Sequence, residues 1–590
     1  MLQNSWAALL ITAAVSSGAT VPTETEKLVA LARLYGVVRW FHPADSAQEI
    51  DWNRFAVHAV KHLRGAHGVD DLDRTLETLF APVSVGLIVG TRLPEPTPRE
   101  APAGTQLVAW RHLGLGSGSS VTGAGRTQVY TSTRTNRPAG IDPPSSEISC
   151  GAPPRAGAQV DVDLGLGLRA RVPLVLTDAE ATLGAGQRRL LDALQIEMRA
   201  IPNDGEVTDH DVRTADVIVA WSVFRHFYPY WGDVAVDWDA CLPSLLEAAS
   251  AAGSRDAHRN VLRRLVAAVQ DGHGSVRDPR DGSEQKWLPI TARGLAGRLV
   301  VTASAVPEQV RIGDVIMAID GQPAATWLSE QDALTSGASQ WRADRAVVAL
   351  TRGPDGTRVA LQIERPPAAP QVELTRTLRE PVRELRPEQI AEIRPGVWYV
   401  DLVRTDWSAL QPRLPELATA NAVIFDVRGY PTDAGHRLLP HLLKAPEQDR
   451  WMHVPCIVEP FGRVAGWRSF GWNLEPASPY LAGRIVFLTD GRAISYGESV
   501  MGYVEGRGLG TIVGSATAGT NGNVNTFSVP SGMTIAFTGM RVTRHDGSRF
   551  HLVGVRPDLP AEATVDGIRA GRDEVLERAL AVLGAAPVRR

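Results

Sequence analysis

Ser495 follows the run Ile485-Val486-Phe487-Leu488-Thr489-Asp490-Gly491-Arg492-Ala493-Ile494, in surroundings that suit a nucleophile. The apolar residues predict a buried strand, a short turn follows, and Ser495-Tyr496-Gly497-Glu498 opens a helix. A hydroxyl at that junction stands beside unpaired N–H groups and the positive end of a helix dipole, donors that stabilise an oxyanion. The same serine also reads as a plain helix cap. Other reactive types are sparse. Cys150, Cys241 and Cys456 form no CxxC pair and no metal spacing, which argues against a zinc site or a disulfide framework and leaves open whether two of them bridge. His58 and His62 lie at i, i+4, but Ala59 stands where HExxH zinc chemistry needs Glu, so a solvated helix face is expected. Lysine occurs only at Lys27, Lys61, Lys286 and Lys444.

The elements that must position Ser495 are spread over 590 residues, roughly four domains at about 150 residues each. Hydrophobic residues at 44% and charged residues at 21% exclude a disordered or fibrous chain. A net charge of −4 gives no footprint for nucleic acid or an anionic membrane. Residues 1–22 read as an export signal: Trp6 to Val15 is apolar but too short to span a bilayer, and Ser17-Gly18-Ala19 offers a cleavage site. The basic n-region is missing, and a frayed apolar tail is the alternative. No later run is long enough to cross a membrane. Two helical units, 23–92 and 186–282, repeat at an offset of 186 residues: Phe41-His42-Pro43 and Asp51-Trp52 match Phe227-Tyr228-Pro229 and Asp237-Trp238. The repeated Asp-Trp pairs suggest packing or capping. Only the second unit ends in Asp271-Gly272-His273-Gly274. Between them, 93–185 reads as a β-rich insert of short alternating runs broken by Gly, Ser and Pro.

Residues 283–368 contain Gly313-Asp314-Val315-Ile316-Met317-Ala318-Ile319-Asp320-Gly321, and the runs Ala346–Leu350 and Val359–Ile363 read as strands about the turn Pro354-Asp355-Gly356. This resembles a PDZ domain, a module that binds an extended peptide at a sheet edge; a spacer is the plainer reading. Residues 369–590 alternate buried apolar runs with helical stretches, an α/β layered core.

The PDZ-like unit, Asp426-Val427-Arg428-Gly429-Tyr430-Pro431, the strand-to-Ser495 segment and Gly554-Val555-Arg556-Pro557-Asp558 occur in that order. Together they resemble the tail-specific, C-terminal-processing and tricorn-like serine peptidases, over about 210–580. The resemblance implies a crotonase-like α/β core within a multidomain α/β chain, with Ser495 as nucleophile. Many such enzymes carry a lysine base 25 residues later, but Thr520 stands there and no lysine follows Lys444. The tricorn-like branch instead uses a histidine just after the helical unit, the position of His273. A neutral imidazole suits proton removal from serine, although such a histidine can also simply hydrogen-bond in a loop. Where that branch has an orienting Glu and a Ser before the histidine, this chain has His551 and Gly272; His551, Asp271, Glu498 and Asp546 all remain candidates. The resemblance places the oxyanion hole at the Tyr496 N–H and a backbone N–H after Pro431, at Thr432, with Asp426 and Arg428 as supports.

The expected activity is therefore that of an exported serine peptidase acting on polypeptides, with no cofactor and no metal, insensitive to chelators, and rising with pH through roughly 6–7 as His273 deprotonates. Two alternatives stand beside it. Ala493-Ile494-Ser495-Tyr496-Gly497 is one residue from G-x-S-x-G, which suggests an esterase-like α/β-hydrolase using Ser495, Asp546 and His551. The other is a peptide-binding scaffold with a degenerate site.

Overall fold

A computed structural model describes residues 21–584 apart from 97–99, 117–128, 140–154, 203–206, 283 and 366. The apolar run from Trp6 to Val15 lies outside the described residues. Among those described, no helix is long and apolar enough to cross a membrane.

The internal repeat is structural. Helices α1 (Glu24–Phe41), α2 (Trp52–Leu63) and α3 (Val69–Phe80) are matched, start for start, by α4 (His210–Phe227), α5 (Trp238–Ala251) and α6 (Arg255–Ala268). Asp51 accepts from the N–H groups of Asn53 and Arg54, and Asp237 from that of Ala240, so each repeated Asp caps the helix its Trp begins. The rings of Phe41 and Phe227 stack at 6.2 Å. Helix α4 is buried along nearly its whole length and forms the axis of this half. The strands expected in 93–185 do not stand apart: Gln106–Leu113 pairs with Thr131–Pro138 and with Met452–Ile457 of the C-terminal part.

After the second helical unit, Gln371–Thr375, Arg358–Glu364, Val315–Ile319, Arg298–Ser304 and Ile290–Leu295 form one sheet in that order. Helix α7 (Ser339–Thr351) lies against its edge strand Ile290–Leu295. The strand expected at Ala346–Leu350 is thus part of α7. Ala346, Val347 and Leu350 share its buried face, and an apolar run this short does not distinguish a strand from a buried helical turn.

The C-terminal core is a sheet ordered β1 (Ile390–Arg394), β2 (Val397–Asp401), β3 (Ala422–Val427), β4 (Arg484–Thr489), β5 (Thr511–Gly514), β6 (Leu559–Pro560). Only β1 runs antiparallel. All six residues of β3 are buried, as a parallel strand covered on both faces requires. The carboxyl ends of β3 and β4 lie side by side, and loops at such an edge are where open α/β sheets bind ligands. Helix α8 (Tyr496–Arg507) starts there.

A three-stranded sheet joins the halves. Thr534–Thr538 pairs with Val524–Ser528 on one side and with Ser275–Arg277 on the other. The register Ala536 to Ser275 carries Thr538 to the side of His273.

Candidate active site

Ser495 sits between β4 and α8 with φ 57° and ψ −115°, a conformation that non-glycine residues avoid and that functional turns retain. Its N–H donates to the Thr520 carbonyl at 2.9 Å and its carbonyl accepts from the Ser499 N–H. Glu498, fully buried one turn into α8, holds the turn from below. Its carboxylate accepts from the N–H groups of Gly519 (2.6 Å), Thr520 (2.8 Å) and Ser495 (3.4 Å) and from the Thr517 hydroxyl. Burial pushes this carboxyl up to about 8, against the pull of those donors.

His273 lines the same cavity as Ser495, a space of about 940 Å³. Its Nδ1 lies 2.8 Å from Thr538 Oγ1, and Thr538 Oγ1 lies 2.8 Å from Asp271 Oδ1. Thr538 has one hydroxyl proton, and the Asp271 carboxylate can only accept it. Thr538 therefore accepts from His273, so Nδ1 carries the imidazole proton and Nε2 keeps its lone pair. Asp271 is completely buried and also accepts from the N–H groups of His273 and Thr538. Burial pushes the imidazole below its ordinary value, and the Asp271 charge partly offsets this. No direct Ser495–His273 hydrogen bond occurs among the described residues. The loops carrying them are tied by Thr520, whose Oγ1 accepts from the Gly272 N–H at 2.9 Å while its carbonyl holds Ser495. A Cβ on Gly272 would lie 2.7 Å from that Oγ1, so Thr520 fills the space a serine before the histidine would need.

The other expected site residues are placed differently. The Thr432 N–H donates to the Leu402 carbonyl, and its hydroxyl to the Thr405 carbonyl, so Thr432 is occupied within its own loop. The neighbouring Tyr430 lines the cavity beside Ser495 instead. Among the described residues no acceptor takes the N–H of Tyr430 or of Tyr496. His551 is stacked on Tyr230 at 4.0 Å, with Nε2 3.3 Å from the Tyr228 hydroxyl. It is close enough to feel the charge of Asp271, but Thr538 takes the place at His273 Nδ1. Asp546 lies on an exposed turn, accepting from the Ser548 N–H, so the triad Ser495, Asp546, His551 is not assembled. Asp426 and Arg428 support the sheet: Arg428 is paired with Asp426 and Asp573, and the Tyr399 hydroxyl donates to Asp426. His58 is buried rather than solvated, because helix Ala185–Arg199 packs on α2 and brings Glu197 within 3.7 Å of His58 Nε2 and 4.0 Å of His62 Nε2. Cys241 is free and Cys456 is disulfide-bonded.

Thr538 had no signal in the sequence; Asp271 was one candidate among four. Only the strand register singles them out.

A serine on a strained strand-to-helix turn, sharing a cavity with an oriented imidazole at the carboxyl edge of a mainly parallel sheet, has the residue types that acyl-transfer chemistry uses. Residues 455–561, which include Ser495, match the model of peptidase family S41. Through this segment the chain resembles the tail-specific peptidases, and the match supports a serine-type peptidase. Its fold is similar to that of mature CPAF, with a TM-score of 0.51 at 15% identity over 63% of this chain and 96% of that one. For mature CPAF complexed with lactacystin the values are 0.50, 14%, 63% and 98%. The photosystem II D1 C-terminal processing protease matches with a TM-score of 0.38 at 18% identity, over 63% and 97%. At these identities the CPAF likenesses speak to the mixed α/β multidomain fold. No curated protein matches the chain by sequence.

Proposed function

We infer that the chain cuts polypeptides by attack of Ser495 Oγ on the scissile carbonyl, with His273 as general base. Nε2 takes the hydroxyl proton and returns it to the leaving amine, and water then hydrolyses the acyl-enzyme by the same route. Asp271 steadies the imidazolium through Thr538. The N–H groups of Tyr496 and Tyr430 supply the oxyanion donors, the second replacing Thr432. The observation that carries this reading is the presence of Ser495 and His273 in one cavity, with His273 Nδ1 held by the Thr538–Asp271 pair.

In this reading 369–590 is a crotonase-like core and 283–368 a PDZ-like unit. The edge strand Ile290–Leu295 beside α7 supports a substrate tail added as a further strand. Export fits the disulfide at Cys456, a bond that persists in oxidising compartments.

A fluorophosphonate probe tests the assignment. Labelling of the native chain should be lost in Ser495→Ala and fall steeply in His273→Ala, yet survive in His551→Gln. Absence of labelling in the native chain, or labelling that ignores His273, would falsify it.

A further inference from the structure

The cavity that holds Ser495 and His273 is walled by two helices that both present arginine. On α6, Arg259, Arg263 and Val266 recur at helical spacing; on α7, Trp341, Arg345 and Val348 do the same, and Arg352 follows at its end. Among the described residues the only carboxylate in the lining is Asp281, and Arg259 takes it at 2.6 Å while also holding Asp256 at 2.7 Å. The remaining three guanidinium groups have no carboxylate in ion-pair reach among the described residues. Arg263 faces the Asn260 amide oxygen at 3.5 Å. Arg345 lies over the Trp341 ring and Arg352 over Trp287, at 5.4 and 5.9 Å. A chain of net charge −4 thus concentrates positive charge where it cuts. Burial, together with Arg259, holds Arg263 below its ordinary value; burial and Arg352 do the same to Arg345, offset in part by Asp344.

We propose that Arg263, Arg345 and Arg352 form a subsite for acidic side chains of the polypeptide substrate close to the scissile bond. This rests on the reading of Ser495 and His273 as the peptidase centre. A bound Asp or Glu gives these groups the charge-assisted partners the free enzyme lacks, and planar guanidinium matches carboxylate geometry. Three arginines on two walls exceed what one chain-terminal carboxylate can satisfy, and the terminus is assigned to the edge strand Ile290–Leu295.

The test uses matched peptides with Glu or Gln flanking the scissile bond, each with a free or an amidated carboxyl end. The Glu peptides should be cut with kcat/KM at least about tenfold higher in both end series. The ratio should fall towards one in Arg263→Gln and Arg345→Gln, and Arg345→Glu should shift preference to Lys peptides. No Glu preference, or one confined to free carboxyl ends, overturns the proposal. If nothing is cut, binding of the same peptides to Ser495→Ala decides it: equal affinity for Glu and Gln forms rejects the subsite. Failed probe labelling of the native chain rejects the peptidase reading separately.

Discussion

One hydroxyl proton sets the polarity of the site. Because Thr538 gives its proton to Asp271, His273 must keep its own on Nδ1, and the lone pair is left on Nε2. Thr538→Val keeps the shape and removes both bonds, leaving the imidazole free to rotate or change tautomer. Steady-state kinetics should show kcat lower by roughly 10–100-fold with KM little changed, and Thr538→Ser should restore most of it. The pH dependence follows from the same residue. With His273 as the proposed base, activity needs it neutral, and burial lowers its pKa, so the rising limb of kcat/KM belongs below the ordinary 6.5 and not across 6–7. A limb at or above 6.5 contradicts this. Ser495 carries the backbone strain. Ser495→Gly abolishes labelling but should raise stability by about 1 kcal/mol, read as a higher melting temperature, since glycine accepts φ 57° freely.

At the scale of elements, the start of α8 is secured by the buried Glu498 carboxyl, whose two oxygens both take backbone N–H groups. One takes the Thr517 hydroxyl and the Gly519 N–H, the other the Thr520 and Ser495 N–H groups. Glu498→Gln preserves volume but turns an NH₂ towards donors. The cost should be about 1–3 kcal/mol in denaturant unfolding, with loss of probe labelling as the Ser495 turn loosens. A variant as stable and as reactive as the native chain would remove Glu498 from this role. The partner element is the loop 271–274, fixed by the pairing of Ser275–Arg277 with Thr534–Thr538. That register is what turns a distant Asp-Gly-His-Gly into a neighbour of Ser495.

Across the whole molecule, buried charge ties distant segments together. Arg386, ahead of β1, and Arg428, after β3, flank the Asp426 carboxylate, and Arg428 also holds Asp573 before the C-terminal helix Glu574–Gly584. Burial alone would raise the Asp426 carboxyl, but the two guanidinium groups hold it well below the usual carboxylate range. Its contribution to stability is therefore complete above the unfolded value of 3.8 and is lost as pH falls below that towards the folded value. Asp426→Asn leaves two buried guanidinium groups short of a partner. It should cost about 3–5 kcal/mol at neutral pH and flatten the acid limb of unfolding followed by circular dichroism between pH 5 and 2.

The sequence alone determined what local chemistry can write. Alternating and apolar runs marked the core strands, the repeated Asp-Trp pairs marked two helix starts, and the run into Ser495 marked a strand-to-helix turn. It misread Ala346–Leu350, because a short apolar run suits a strand and a buried helical turn equally well. Tertiary structure alone decided which group faces His273 Nδ1, which loop N–H groups are already bonded, and that arginines from α6 and α7 share one cavity. Those are outcomes of strand register and helix packing between segments far apart in the chain, and no spacing within one segment encodes them.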